Sequence, residues 1–322
     1  MKKEIIEVDK KRGVYQITTT DERWYTISAM HDATGLPYFK FIPSVTWITS
    51  YVYKGVEFYK WLASKGWDEA EAIKTEAGDR GTKIHKAIEK LIDGEVVKMD
   101  TEFENRSDEK STDLEPDEYS AVNSFIKWCE ADEPEFILSE VTLTSEEYDF
   151  AGTVDAVARI NGEIWIVDWK SSQYIWPSMK AQISAYKVAI IEMMKNNEIQ
   201  VDISIEEMEN AKMAVLQVGY KKNKRRWKFT EIQDEFESLF LPAQKFWDSA
   251  NKNQQPKQYE LPMELKLSIN KKNEEKKDES QAEKKDGKKN VLKSGKKNKP
   301  TFVSNRTMDA EKKRKNVKAT KK

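Results

Sequence analysis

Cysteine is almost missing from this chain of 322 residues, Cys129 being the single instance. One thiol excludes an internal disulfide framework, and it excludes an iron–sulfur cluster or a zinc site assembled from several thiolates of one chain. Long apolar runs are missing as well. Nothing approaches the roughly 20 consecutive apolar residues that cross a bilayer, and the opening Met-Lys-Lys-Glu-Ile-Ile-Glu carries no apolar stretch of a secretory signal. A cytoplasmic protein without a membrane partner is expected. Also missing is a Gly-x-x-x-x-Gly-Lys-Ser/Thr loop, so no nucleotide cofactor is expected and any helicase or ATPase partner is a separate chain. No internal repeat is found.

What the chain has in abundance is charge, 34% of residues beside 38% hydrophobic ones, which still leaves material for a core. The net charge of −1 hides an asymmetry. Residues 271–322 hold 20 Lys and Arg against 8 Asp and Glu, a local excess of +12, while the remaining 35 basic and 48 acidic residues carry −13. An acidic body with a basic tail points to a polyanionic partner. The segment 265–322 lacks apolar spacing and is expected to be a disordered, lysine-rich tail with non-specific, salt-sensitive attraction to DNA or RNA. Residues 1–264 are expected to form one α/β domain, with its motifs concentrated in 81–190.

Within that domain, residues 3–28 alternate apolar and polar side chains and read as short strands. Phe58 to Ile92 turns helical, with a break expected at Gly78 to Gly81 and an end at Gly94. Residues 100–117 read as an exposed polar loop, followed by a helix over Glu118 to Glu130. Strands are expected at Phe136 to Leu143, Gly152 to Ile160 and Glu163 to Trp169. Trp176-Pro177 opens a helix to about Lys195, because proline is tolerated in a first helical turn. Met213 to Tyr220 and Trp227 to Ile232 read as a hairpin, and Phe236 to Trp247 as a closing helix.

The sharpest local signal is Asn161-Gly162, suited to the positive torsions of a two-residue type I′ turn. If Ile160 pairs with Glu163, paired positions sum to 323 and Asp155 stands opposite Asp168. Carboxylates so placed repel each other unless a cation lies between them. Lys170, two residues beyond Asp168, shares its face, and Glu140 on the preceding strand is in reach of the same edge. Phosphodiester cleavage needs an activated water and a neutraliser of phosphoryl charge. Mg2+ or Mn2+ held by carboxylates supplies both, and a lysine adds a mobile positive charge.

The motifs Gly81-Thr-Lys-Ile-His85, Glu140-Val-Thr-Leu-Thr, Gly152-Thr-Val-Asp155, Ile166-Val-Asp168-Trp-Lys170 and Gln182-Ile-Ser-Ala-Tyr186 resemble those of the PD-(D/E)XK nuclease superfamily. The likeness is nearest to its RecB-type exonuclease branch, with the mitochondrial genome maintenance exonuclease and phage relatives. It is clearest from Glu140 to Tyr186, weaker from Pro43-Ser-Val-Thr-Trp onward, and does not cover the tail. The resemblance implies a restriction-endonuclease-like core, a central mixed β-sheet flanked by helices. It further implies that Asp155 and Asp168 are metal ligands, the carbonyl of Trp169 and the imidazole of His85 being others. Lys170 would be the catalytic lysine, with Glu140 beside it, while Gln182 and Tyr186 would support the site or touch DNA. The activity implied is a metal-dependent DNA exonuclease acting on single strands or ends in phage-type replication, recombination or repair. A separate helicase, recombinase or single-strand-binding protein would be its partner.

Two rival readings stay open. An endonuclease of the same fold would cut closed circular DNA, and a non-catalytic DNA-binding module would bind without metal. Outside the motifs, Lys221, Lys222, Lys224, Arg225, Arg226, Trp227 and Lys228 fall at a hairpin tip, a composition suited to tracking phosphates and stacking a base. Trp165 and Trp169 point away from the aspartates and read as core, and Cys129 as buried and inert.

Overall fold

The structure is a computed structural model that describes residues 4–19, 22–30, 37–108, 110–252 and 255–256. The chain divides into two units, Met1–Tyr259 and Glu260–Lys322. The second, with the whole basic tail expected at 265–322, lies outside the described residues.

Four antiparallel strands open the first unit as a meander, β1 (Glu4–Asp9), β2 (Val14–Thr18), β3 (Arg23–Met30) and β4 (Pro37–Pro43). Three helices follow, α1 (Val45–Thr49), α2 (Val56–Lys65) and α3 (Trp67–Ile92). The helical break sits at Gly66, whose φ of 77° no helix accommodates, and not at Gly78 to Gly81 as expected. Interior glycines cost only about 1 kcal/mol each, and burial of Ala70, Ile84, Ala87 and Ile88 along α3 outweighs that. Gly94, at φ 82°, does end the helix. Its N–H donates to Leu91 O and that of Glu95 to Lys90 O, the paired bonds of a Schellman motif.

The polar stretch after Gly94 holds a small hairpin, β5 (Phe103–Glu104) with β6 (Ser111–Thr112), where an exposed loop was expected. Phe103 and Leu114 are buried against α3 and the next helix and anchor it. That helix, α4 (Pro116–Asp132), starts at a capping box in which Glu118 accepts from the Glu115 N–H at 2.8 Å.

The central sheet contains β7 (Glu135–Ser145), β8 (Phe150–Ile160), β9 (Glu163–Lys170), β10 (Lys212–Val218) and β11 (Trp227–Ile232). Their spatial order is β11-β10-β9-β8-β7, with only β9 and β10 parallel. Parallel neighbours need a crossover, which α5 (Pro177–Lys195) and α6 (Ile205–Glu209) supply. A π-helical turn, Phe236–Phe240, leads into α7 (Leu241–Ala250) where one continuous helix was expected. Pro242 explains the change, because it has no N–H to donate to residue 238.

Side chains alternate along β9, which sets the layers. Ile164 and Ile166 join the core with α1, α5 and α7, whereas Trp165, Val167 and Trp169 join the core with α3 and α4. The fold is therefore α/β, a mixed five-stranded sheet with helices on both sides, and the two tryptophans are core. Among the described residues no helix is long and apolar enough to cross a membrane.

Candidate metal centre

Asn161 and Gly162 have φ of 51° and 81°, the two positive torsions a type I′ turn needs. Pairing runs from Ile160–Glu163 to Ala156–Val167, every pair summing to 323. There the ladder stops. The next position, Asp155 opposite Asp168, replaces main-chain pairing with a side chain, since Asp155 Oδ2 accepts the Trp169 N–H at 2.9 Å. On the other side, Ser139–Ala156 and Val141–Val154 flank Glu140, which places it opposite Asp155. Three carboxylates thus stand in a row across β7, β8 and β9. Glu140 reaches its place with φ of 50°, a left-handed conformation that costs a non-glycine residue on the order of 1 kcal/mol.

Helix α3 lays His85 over this row. Its Nδ1 is 3.5 Å from Asp155 Oδ1 and 3.9 Å from Glu140 Oε1. Ile84 and Ile88 face the core, while His85, 27% exposed in its side chain, turns to the carboxylates. Among the described residues, His85, Glu140 and Asp155 offer ligand atoms within 4.8 Å of one another. Asp168 stands outside that group, fully buried, with Oδ2 2.6 Å from Lys170 Nζ and Oδ1 accepting from Gln182 Nε2 at 3.4 Å. The same amide donates to the Tyr186 hydroxyl at 2.8 Å. Gly152 completes the support, because a Cβ there would lie 2.7 Å from Tyr186 Cε1. Its spacing from Asp155 was visible in the sequence, but its contact with a tyrosine 34 residues onward was not.

Burial and the Asp155 charge push Glu140 up to about 8. Burial also pushes Asp168 up to about 6, with Lys170 opposing it. At Asp155 burial is outweighed by the positive charges of His85 and Lys170, and its carboxyl is held below the ordinary range. His85 and Lys170 are both raised, since Asp155 for the first and Asp168 for the second outweigh their burial. Glu140 is left over. Its Oε1 is buried with no hydrogen-bond partner, a group whose desolvation costs about 1–3 kcal/mol if nothing meets it. An imidazole and two carboxylates, one of them with an orphaned oxygen, converging from three elements suit a hard or borderline divalent cation.

The basic segment lies at the β10–β11 turn, the hairpin tip where it was expected. Trp227 is 8% exposed and packed in the core, and this burial leaves no face for a base. Lys221 pairs with Asp117 at 2.7 Å, Lys222 lies over Tyr174 at 4.6 Å and Lys228 over Tyr220 at 5.8 Å. Cys129 is half-buried and its thiol is pushed up to about 12 by burial, so it stays protonated.

Comparison with family models finds a match to the model described as the PD-(D/E)XK nuclease superfamily, over residues 58–285. The matched span takes in the whole site except the meander beside it, and it continues past residue 264 into the basic segment. No curated protein matches the chain.

Proposed function

The chain belongs to the PD-(D/E)XK nuclease superfamily, and from that premise we propose that it is a Mg2+- or Mn2+-dependent DNA exonuclease acting on single strands or DNA ends. The observation that carries the reading is the row of Glu140, Asp155 and Asp168 with His85 above it and Lys170 beside it. What favours an exonuclease over an endonuclease is the likeness of the Gly81 to His85 and Gln182 to Tyr186 motifs to the RecB-type branch. Replication, recombination or repair of phage type is the setting that likeness suggests, with a separate helicase, recombinase or single-strand-binding protein as partner.

In this reading His85, Glu140 and Asp155 hold the cation, with Asp168 and the Trp169 carbonyl completing the set. A divalent cation supplies charge neutralisation at the phosphoryl oxygens and lowers the pKa of water. The protein's own groups do the rest. Asp168 keeps Lys170 charged and fixes its Nζ where it meets an attacking water or a developing phosphoryl charge. Gln182, bonded to both Asp168 and Tyr186, prevents that carboxylate from rotating. The Trp169 N–H holds Asp155 in a single orientation.

The test is degradation of end-labelled linear single-stranded DNA in MnCl2 by the wild type and by Lys170→Ala, with closed circular single-stranded DNA in parallel. Loss of the linear strand alone, abolished by the substitution, is the expected result. Cutting of the circle would transfer the protein to the endonuclease class, and metal-dependent cleavage of neither would remove the enzymatic reading.

A further inference from the structure

Immediately after Lys170 the chain leaves the sheet through Ser171 to Trp176, and this loop is tightly built. Lys170 pairs with Gln217 of β10, and Gln217 Nε2 donates to Ser172 O at 2.8 Å. Gln173 reaches the β10–β11 turn twice, donating to Gly219 O at 3.2 Å and accepting from the Lys221 N–H at 2.8 Å. Ser172 Oγ donates to Tyr174 O at 2.7 Å. So rigid a loop ends in two large aromatic side chains turned to solvent, Tyr174 at 62% exposure and Trp176 at 44%. Their rings are 6.1 Å apart and tilted by 45°, and Lys222 lies over Tyr174.

Exposing two aromatics beside each other forfeits the burial energy each would gain in the core. Here they border the most basic stretch of the folded unit, six Lys and Arg between Lys221 and Lys228. They also follow Lys170 by four and six residues, so Tyr174 lies within about 14 Å of it along the chain. Aromatic faces set in a positive groove are how proteins hold unpaired bases, because every base offers a π-face and every nucleotide a phosphate.

We propose that Tyr174 and Trp176, flanked by Lys222 and the basic turn, form a stacking platform for unpaired bases of the strand led to the carboxylate site. The proposal rests on the nuclease reading and gives that site its preference for single-stranded segments. Bases of a duplex are already stacked on one another and present only their edges, so the platform discriminates against paired DNA. The division of labour differs from the one expected at the hairpin tip. The turn supplies charge, and the neighbouring loop supplies the aromatic faces that Trp227 cannot.

The test is fluorescence anisotropy in EDTA, where no cleavage occurs, with a fluorescein-labelled oligothymidylate of about 12 nucleotides, an abasic strand of equal length and a blunt duplex. The wild type should bind the oligothymidylate at least about tenfold more tightly than the abasic strand. Tyr174→Ala and Trp176→Ala should each weaken oligothymidylate binding by about 5- to 100-fold and leave abasic and duplex binding unchanged. Trp176→Tyr keeps an aromatic face at the start of α5 and should retain most of the affinity. Lys222→Ala should lower the slope of log affinity against log salt by about 0.7, which the aromatic substitutions should not change. Equal affinity of the wild type for abasic and normal strands, or an equal loss on both in Tyr174→Ala, would overturn the proposal. If that happens while linear strands are still degraded, the platform falls and the nuclease reading stands. Binding of no strand at all would remove both.

Discussion

Replacing Glu140 by Gln should stabilise the metal-free protein while disabling it. The unfolded chain ionises this carboxyl near its ordinary value of 4.5, whereas the folded protein keeps the proton up to about 8. At pH 7 the native state therefore holds a proton that the unfolded state has lost. At roughly 1.4 kcal/mol per pH unit, that difference costs the fold about 3 kcal/mol. Glutamine has nearly the same shape and no charge to desolvate, so the substitution should recover most of it. For a unit of about 250 residues this corresponds to a melting temperature higher by about 5–10 °C in EDTA. The sign can be checked against pH. A raised carboxyl gives its full relative stability below the unfolded value and loses it as pH rises through the folded one, so the gap between variant and wild type should vanish below about 4.5 and level off above about 8. Saturating Mn2+ should reverse the order, because a ligand at a hundred times its Kd adds about 2.7 kcal/mol to the protein that binds it. Differential scanning calorimetry in EDTA and in Mn2+ measures all of this. A variant that melts below the wild type in EDTA, or a gap indifferent to pH, would refute the argument and make Glu140 a structural residue.

Three more outcomes are expected. Because Glu140 must lose its proton to ligate, and a protonated His85 must lose its own, Mn2+ affinity should rise by at least about tenfold per unit between pH 6 and 8, with at least about one proton released at pH 7; calorimetric titration in two buffers of different ionisation heat measures both, and affinity independent of pH would contradict it. Gly152→Ala would set a Cβ 2.7 Å from the buried Tyr186 ring, costing about 1–3 kcal/mol in a denaturant titration; an unchanged midpoint would show that the ring is free to retreat. Gln182→Leu removes the amide shared by Asp168 and Tyr186 and should lower turnover or Mn2+ affinity by about 10- to 100-fold, whereas wild-type turnover would reduce Gln182 to helix surface.

The register of the central hairpin was legible because the torsions of Asn161-Gly162 are local, and a period-2 pattern then carries them along both strands without loss. The position of Glu140 was not legible in the same way. It depends on the loop between β7 and β8 and on a positive φ that glutamate seldom adopts, neither of which leaves a pattern in the sequence. The break in α3 was misplaced for a related reason. Glycines at 78 and 81 look like punctuation, but packing of Ile84, Ala87 and Ile88 decides the matter, and the real turn is the positive-φ Gly66. At the hairpin tip the sequence pattern could not tell a buried aromatic from an exposed one. Alternation along β11 points Trp227 inward, while Tyr174 and Trp176 belong to a loop with no periodicity from which exposure can be read.

The charges of the site explain which of its residues asks for a ligand. Three carboxylates face one ammonium and one imidazole, too little positive charge for all three to ionise together, and Glu140 is the one that keeps its proton, up to about 8. The reason lies in its neighbours. Asp168 has Lys170 at 2.6 Å, and Asp155 has His85 at 3.5 Å together with the Trp169 N–H. Glu140 has His85 only at 3.9 Å and no hydrogen-bond donor on its buried oxygen, and its backbone is in a conformation that glutamate disfavours. Strain, desolvation and repulsion all act at one residue, while a glycine or an amide there would relieve at least one of them. Backbone strain, an unmet buried oxygen and repulsion from a neighbouring carboxylate coincide at this one position of the site, which fits an interaction supplied from outside the chain. A divalent cation between Glu140, Asp155 and His85 would let Glu140 ionise and would meet the orphaned oxygen, which is why the metal-free and metal-bound stabilities of Glu140→Gln are expected to cross.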